Sequence, residues 1–366
     1  MPELAYFLAL HSLDQLGSVS LARLINAFGG SAEAAWREPE SWLTILKLDG
    51  KPRQELLQNQ AACQVEKVYD NYLNSGSTVL TLWDESYPAL LKEIYDPPPL
   101  LFYRGQLPKA DDICLAIIGS RDPSNYGRQV AENLSYELAQ VGLWVVSGLA
   151  LGIDGISHRQ AIKAAGKTLA VLGSGVDIIY PRQHQKLYDE VIENGAVISE
   201  QPLGSQPLPY KFPLRNRIIS GLSHGLLVIE AGKKSGTLIT VNCALEQGRD
   251  VFAVPGPIIN PLSYGTNNLL KEGAKIVLEA KDVWSEYLTE PRRLEAPKTQ
   301  ASSPQLAAEE AALLKQMVIP SHFDNLLVLS GWNPAKLAAL LTMWEIRGLI
   351  RQLPGKYYQA TAKALS

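Results

Sequence analysis

Gly119-Ser120-Arg121 follows an apolar run from Ile113 to Ile118 and precedes a helical pattern from Tyr126 to Gly142. A strand passing through such a turn into a helix predicts an anion site. Unpaired N–H groups and the helix dipole point at the turn, Gly119 lets a phosphate reach the main chain, and Arg121 offers a bidentate grip. A second stretch, Tyr210-Lys211-Phe212-Pro213-Leu214-Arg215-Asn216-Arg217, interleaves cations with aromatics, and Gly232-Lys233-Lys234-Ser235-Gly236-Thr237 lies downstream. Residues 207–236 hold five Lys or Arg against one acid, a local net charge of +4 that leaves the rest of the chain at −7. An acidic chain with one concentrated basic stretch points to a local partner such as a nucleotide or a phosphate polymer. Cations that follow a backbone while aromatic rings stack unpaired bases suit a single strand. Phe212 is the candidate platform, and Arg215, Asn216 and Arg217 are expected to open a helix, joining phosphate contact to helix electrostatics.

Other chemistry is missing. A dinucleotide fold would show Gly-x-Gly-x-x-Gly after its first strand, where this chain has Gly-Ser-Arg-Asp-Pro-Ser. The Gly232–Thr237 segment lacks Walker A spacing, so ATP hydrolysis is not indicated. Asp154 and His158, four apart on one helix face, lack a third partner and read as cap, fold or loop-organising residues. The glycines of Ser147-Gly148-Leu149-Ala150-Leu151-Gly152 serve either a tight turn or a ligand-facing loop. Tyr180-Pro181-Arg182 reads as a turn from which Arg182 reaches a phosphate less readily than Arg121. No catalytic set, cofactor or metal is expected.

The elements that must position these residues follow from pattern. With 46% hydrophobic residues the chain can bury several cores, and its length favours two or three units. No apolar run approaches the roughly 18 residues of a membrane span, and the N-terminus lacks a charged leader. Cys63, Cys114 and Cys243 are odd in number and sit in apolar patterns. They are expected to be core residues of a cytoplasmic protein.

Residues 1–75 are helical in pattern, with a glycine hairpin at Leu16–Gly29 resembling a helix-hairpin-helix or SAM-like unit whose role is either DNA contact or packing. Residues 79–285 alternate short apolar strands with helices, which predicts an α/β unit with a Rossmann-like parallel sheet and ligands at the carboxyl ends of its strands. Residues 289–305 read as a linker. Residues 306–366 read as helices leading to a β-hairpin, a winged-helix order. Its recognition-helix candidate offers only Lys336 and Arg347 as cations beside an apolar stripe of Leu337, Leu340, Leu341 and Trp344, which favours protein contact over major-groove reading.

The distributed motifs resemble the DNA-processing protein A family, also called DprA or Smf. They are Tyr87-Pro88 with Asp96-Pro97-Pro98; Ile118–Arg121 with Tyr126-Gly127; Ser147–Asp154 with His158; Ser199-Glu200; Phe212–Leu222; Ser235–Thr237; and Val254-Pro255-Gly256. The resemblance implies an extended Rossmann-like domain that binds single-stranded DNA without hydrolysis, forms homodimers and helps load a RecA-type recombinase in natural transformation. Carried onto this chain, it implies a DNA site at Gly119, Ser120, Arg121, Lys211, Phe212, Arg215, Asn216, Arg217, Ser235, Gly236 and Thr237. The competing enzyme reading is a Rossmann-like nucleotide phosphoribohydrolase, of whose Pro-Gly-Gly-x-Gly-Thr-x-x-Glu signature Glu230–Thr237 is only a loose echo. A third reading, a transcription regulator using the winged helix, requires a duplex preference that the sparse charge of that helix does not favour.

Overall fold

The computed structural model describes residues 1–13, 15–47, 50–290, 308–346 and 348–361. The chain divides into two compact units, Met1–Pro297 and Lys298–Ser366. In the first, short helices come first: α1 (Glu3–His11), α2 (Ser18–Ala27), α3 (Ala32–Arg37), α4 (Pro39–Leu46), α5 (Gly50–Ala62) and α6 (Val65–Leu73). Their apolar residues, among them Leu10, Leu21, Leu24, Ile25 and Trp42, pack with Val79, Leu100 and Phe102 of the sheet.

The sheet is built from β1 (Thr78–Thr81), α7 (Ala89–Lys92), β2 (Leu100–Gly105), β3 (Cys114–Ile118), α8 (Asn125–Gln140), β4 (Trp144–Ser147), α9 (Ile153–Lys163) and β5 (Thr168–Val171). It continues through α10 (Gln185–Glu193), β6 (Gly195–Ser199), α11 (Lys211–Gly221), β7 (Gly225–Val228), α12 (Thr237–Glu246), β8 (Asp250–Ala253), α13 (Tyr264–Lys271), β9 (Lys275–Ile276) and α14 (Lys281–Trp284). The strand order is β1-β2-β6-β5-β4-β3-β7-β8-β9. From β6 to β9 all neighbours run parallel, but β2 pairs antiparallel with both β6 and β1. The expected parallel sheet is present, and β1 and β2 add an antiparallel edge to it. The connection between β1 and β2 carries only the short α7 and returns β2 antiparallel beside β1.

Alternation along the central strands builds two cores. Cys114, Ala116 and Ile118 of β3 face Ile218, Ile219 and Leu222 of α11 and Val241 of α12. Leu115 and Ile117 face Ala131, Leu134 and Leu138 of α8 and Ile153 and Ile156 of α9. The chain therefore leaves β3 toward one face and β7, its neighbour, toward the other. Such a reversal leaves a crevice beyond the carboxyl ends of the two strands.

The second unit contains α15 (Ala308–Gln316), β10 (Ser321–His322), α16 (Phe323–Ser330), α17 (Pro334–Ile346), β11 (Ile350–Leu353) and β12 (Tyr357–Ala360), with its sheet in the order β10-β12-β11. Three helices with a β-hairpin form a winged helix. Leu337, Leu341 and Trp344 are buried in its core and Leu340 packs against it, which accounts for the apolar stripe. The linker reading of 289–305 falls, from residue 291 onward, outside the described residues, as does Arg347.

Candidate nucleic-acid interface

The crevice between β3 and β7 is a cleft of about 760 Å³. The β3–α8 loop contributes Gly119, Ser120 and Arg121, α11 contributes Phe212, Arg215 and Asn216, and the β7–α12 loop contributes Ser235, Gly236 and Thr237. Residues more than a hundred positions apart meet because both loops leave the sheet at the same reversal point. Lys234, Asp154 and Tyr180 also line the cleft.

Lys211 and Arg217 are absent from this lining. Lys211 Nζ donates to Ser205 Oγ at 2.5 Å and to Gln206 O at 3.3 Å, tying the preceding loop to α11. Arg217 is buried and turned to the opposite side, where it pairs with Asp96 and Glu200. The expected helix start is also displaced. α11 begins at Lys211, so Arg215, Asn216 and Arg217 occupy its second turn and gain nothing from its N-terminal N–H groups.

Phe212 lines both the cleft and a smaller chamber of about 70 Å³ that also touches Gly173, Ser174 and Tyr180. Its ring lies so close to the main chain that a Cβ on Gly173 would stand 2.9 Å from Phe212 Cδ1. Tyr180 tilts against the ring at 5.5 Å, while the Arg121 and Arg215 guanidinium carbons stand 5.8 and 6.0 Å from its centroid. The expected single platform is therefore an aromatic cluster, with Tyr180 44% exposed beside half-buried Phe212. Sequence reading took Tyr180 for a turn residue. Its one signal was an aromatic placed directly before a Pro-Arg pair.

Arg215 is an internal strut. Its Nη1 donates to Gly148 O at 2.9 Å and to Val171 O, and burial, opposed by Asp154, lowers its pKa to about 10. Asp154 accepts from the Gly148 and Ala150 amides at 3.1 and 3.4 Å. Burial raises its carboxyl pKa while Arg215 and those amides oppose the rise. Gly152, at φ 77°, turns the loop so that Ile153 N donates to Ser120 O at 3.1 Å. Asp154 thus organises the loop, and His158 is buried on Thr168 with no route to the cleft lining.

The anion position at the start of α8 is already filled. Glu230 Oε2 accepts from Ser124 N at 2.9 Å, and Oε1 accepts from Ser124 Oγ, directly before the first turn. Glu230 is 1% exposed and puts its negative charge where the sequence reading placed a phosphate, while Ser124 Oγ accepts from Gly127 N. The start of α12 also lies at the cleft, its first N–H groups taken by Ser235 Oγ, Ser235 O and Gly236 O. Gly236 and Thr237 line the cleft there, and Thr237 Oγ1 donates to Gly119 O at 3.1 Å, joining the two loops. Lys234 supplies a cation beside it. The doublet Lys233-Lys234 was visible in the sequence, but only the fold shows which lysine enters the cleft.

A family profile described as DNA recombination-mediator protein A matches residues 78–288, and one described as DprA winged helix domain matches 297–356. The DNA processing protein DprA of Bacillus subtilis is 40% identical over 262 residues, covering 69% of this chain and 88% of that protein. The X-ray structure of DprA from Streptococcus pneumoniae covers 77% of this chain and 96% of its own, with a TM-score of 0.67 at 35% identity. A structure of DprA from Helicobacter pylori, whose description concerns its single-stranded DNA binding mode, covers 59% of this chain and 97% of its own at 30% identity and a TM-score of 0.53. With the profile spanning more than half its length, the chain belongs to the DNA recombination-mediator protein A family, whose members include the proteins called DprA and Smf.

Proposed function

We propose that this protein binds single-stranded DNA in the cleft between β3 and β7, holds it without hydrolysis and presents it to a RecA-type recombinase during DNA processing and natural transformation. One observation carries the reading. Arg121 and Lys234 border an open cleft whose wall is the aromatic pair Phe212 and Tyr180. Cations beside stacking rings suit unpaired nucleotides, whereas a closed duplex has no exposed base faces to offer them. The family likeness to a protein studied for its single-stranded DNA binding points the same way.

Absence of catalysis fits the fate of the carboxylates. Asp154 is held by two amides beside Arg215, and Glu230 by Ser124, so both serve to hold loops, which supports the reading without hydrolysis. Two protomers on one strand would raise avidity, which suits a homodimer acting in the cytoplasm.

The test is fluorescence anisotropy with labelled single- and double-stranded oligonucleotides over a salt series, using the full chain, Arg121→Ala and Phe212→Ala. Preference for single strands that weakens with both substitutions supports the reading. Absent or unchanged binding, with free base released from nucleoside monophosphates, replaces it with the hydrolase. Adding RecA-type recombinase and following filament growth on the same strand tests the presentation step.

A further inference from the structure

Arg217 lies on the far side of α11 from the cleft, and every one of its N–H groups has an acceptor. Nε donates to Asp96 Oδ2 at 2.7 Å, while Nη1 and Nη2 grip Glu200 Oε1 and Oε2 at 2.9 and 2.6 Å. The remaining hydrogens reach Leu214 O at 2.9 Å and Ser18 Oγ at 3.5 Å. A five-donor fork satisfied in this way fixes direction as well as charge. Burial opposes the guanidinium's charge, yet Glu200 and Asp96 hold its pKa above the ordinary arginine value.

Its partners come from three parts of the fold. Asp96 sits on the β1–β2 connection, closed by Tyr87 Oη donating to Pro98 O at 2.8 Å. Glu200 ends β6. Ser18 opens α2 and donates to Glu200 Oε2 at 3.2 Å, placing the carboxylate at that helix's N-terminus, where negative charge is favoured. The glycine hairpin that reads in sequence as a possible phosphate holder is thus docked on the protein's own carboxylate. The ring of His11, at the end of α1, meets the Glu200 main chain and lies 5.7 Å from Phe102.

We propose that Arg217, Glu200 and Ser18 form a latch that clamps the N-terminal helices to the core and thereby sets the position of α11. The N-terminal helices then belong to the framework of the DNA site. This rests on the single-strand reading of the cleft. Arg215 and Arg217 stand two apart and project to opposite sides of α11, one onto the sheet edge and the other into the latch. Loosening the latch frees the Arg217 side of α11, while Ile218 and Ile219 stay in the core, and shifts Phe212, on the turn before.

Arg217 is a positioning residue, and the sign of one substitution separates that role from phosphate contact. Removing the Glu200 charge near a polyanion site would strengthen binding if Arg217 were a phosphate ligand released from its partner. The latch predicts the reverse. In the full chain, Glu200→Gln is expected to weaken binding of an oligothymidylate by about tenfold or more with an unchanged salt slope. Amide hydrogen exchange across Lys211–Gly221 should quicken at the same time. Arg217→Lys, which keeps the cation and loses the fork, should behave alike, and Ser18→Ala should give a smaller loss in the same direction. Ser18→Ala leaves the ion pair in place and decides the matter where the charge variants fail to fold. Unchanged α11 exchange, or binding kept or tightened in Glu200→Gln, overturns the latch. A wild-type chain that binds no single strand overturns the functional reading, while exchange in α11 still decides the latch.

Discussion

Arg215 Nη1 donates to the main-chain oxygen of Gly148 at 2.9 Å, and the same guanidinium reaches Val171 O. These carbonyls end β4 and β5, so one side chain stitches the carboxyl edge of the sheet beneath the cleft. Losing it strands both acceptors where water has little access, and each buried unpaired group costs about 1–3 kcal/mol. Arg215→Met is expected to lower unfolding free energy by roughly 2–4 kcal/mol in urea titrations. Gly148→Ala, whose Cβ would stand 2.6 Å from Arg215 Nη2, should share the defect in milder form.

Gly173 carries Phe212 on its open face. Adding a methyl there pushes the ring from its place while leaving the strut and the ion pairs intact. Gly173→Ala should therefore weaken single-strand binding toward the loss of Phe212→Ala. That loss is about 1–3 kcal/mol, or roughly 5- to 150-fold, if one base stacks on the ring. Thermal stability should change far less than anisotropy.

Unlike Arg215, Arg121 and Lys234 make no salt bridge or side-chain hydrogen bond among the described residues. If they hold phosphates as proposed, each contributes to the salt dependence of binding. Replacing either by alanine should make the log-log salt slope shallower by about 0.7. Arg215→Lys should lower affinity with the slope preserved, because its guanidinium is committed to main-chain oxygens. An equal change of slope in all three variants would overturn this division.

His158 gives the fold a one-sided response to acid. Thr168 Oγ1 donates to Val145 O at 2.8 Å, so it accepts from His158 Nδ1, and the buried Nε2 keeps a lone pair with no partner. Burial lowers the His158 pKa to about 3, and burial lowers that of His11 to about 4. Below the ordinary value near 6.5, the unfolded chain takes up protons that the folded chain refuses. Stability is therefore complete above pH 6.5 and falls as pH drops toward 3. The slope approaches about 1.4 kcal/mol per pH unit for each such histidine. Denaturant midpoints at pH 7, 6 and 5 should fall in that order, and His158→Asn should flatten the decline.

Alternation, glycine turns and the basic-aromatic stretch by themselves determined much of this protein. They gave the central strands, the winged-helix order, and two loops suited to phosphate, because periodicity and local charge are properties of neighbours in sequence. What they left undecided was direction and occupancy. Arg215 and Arg217 are the same residue type two positions apart on one helix, and only packing sends one to the sheet edge and the other to Glu200 and Ser18. Two helix starts that read as anion sites, those of α8 and α2, have the protein's own Glu230 and Glu200 beside them, each brought from far away in the chain. The sequence thus determined which residues could hold phosphate. Tertiary structure decided which of them are left free to do so, since a cation or helix end is open only when no distant carboxylate folds onto it.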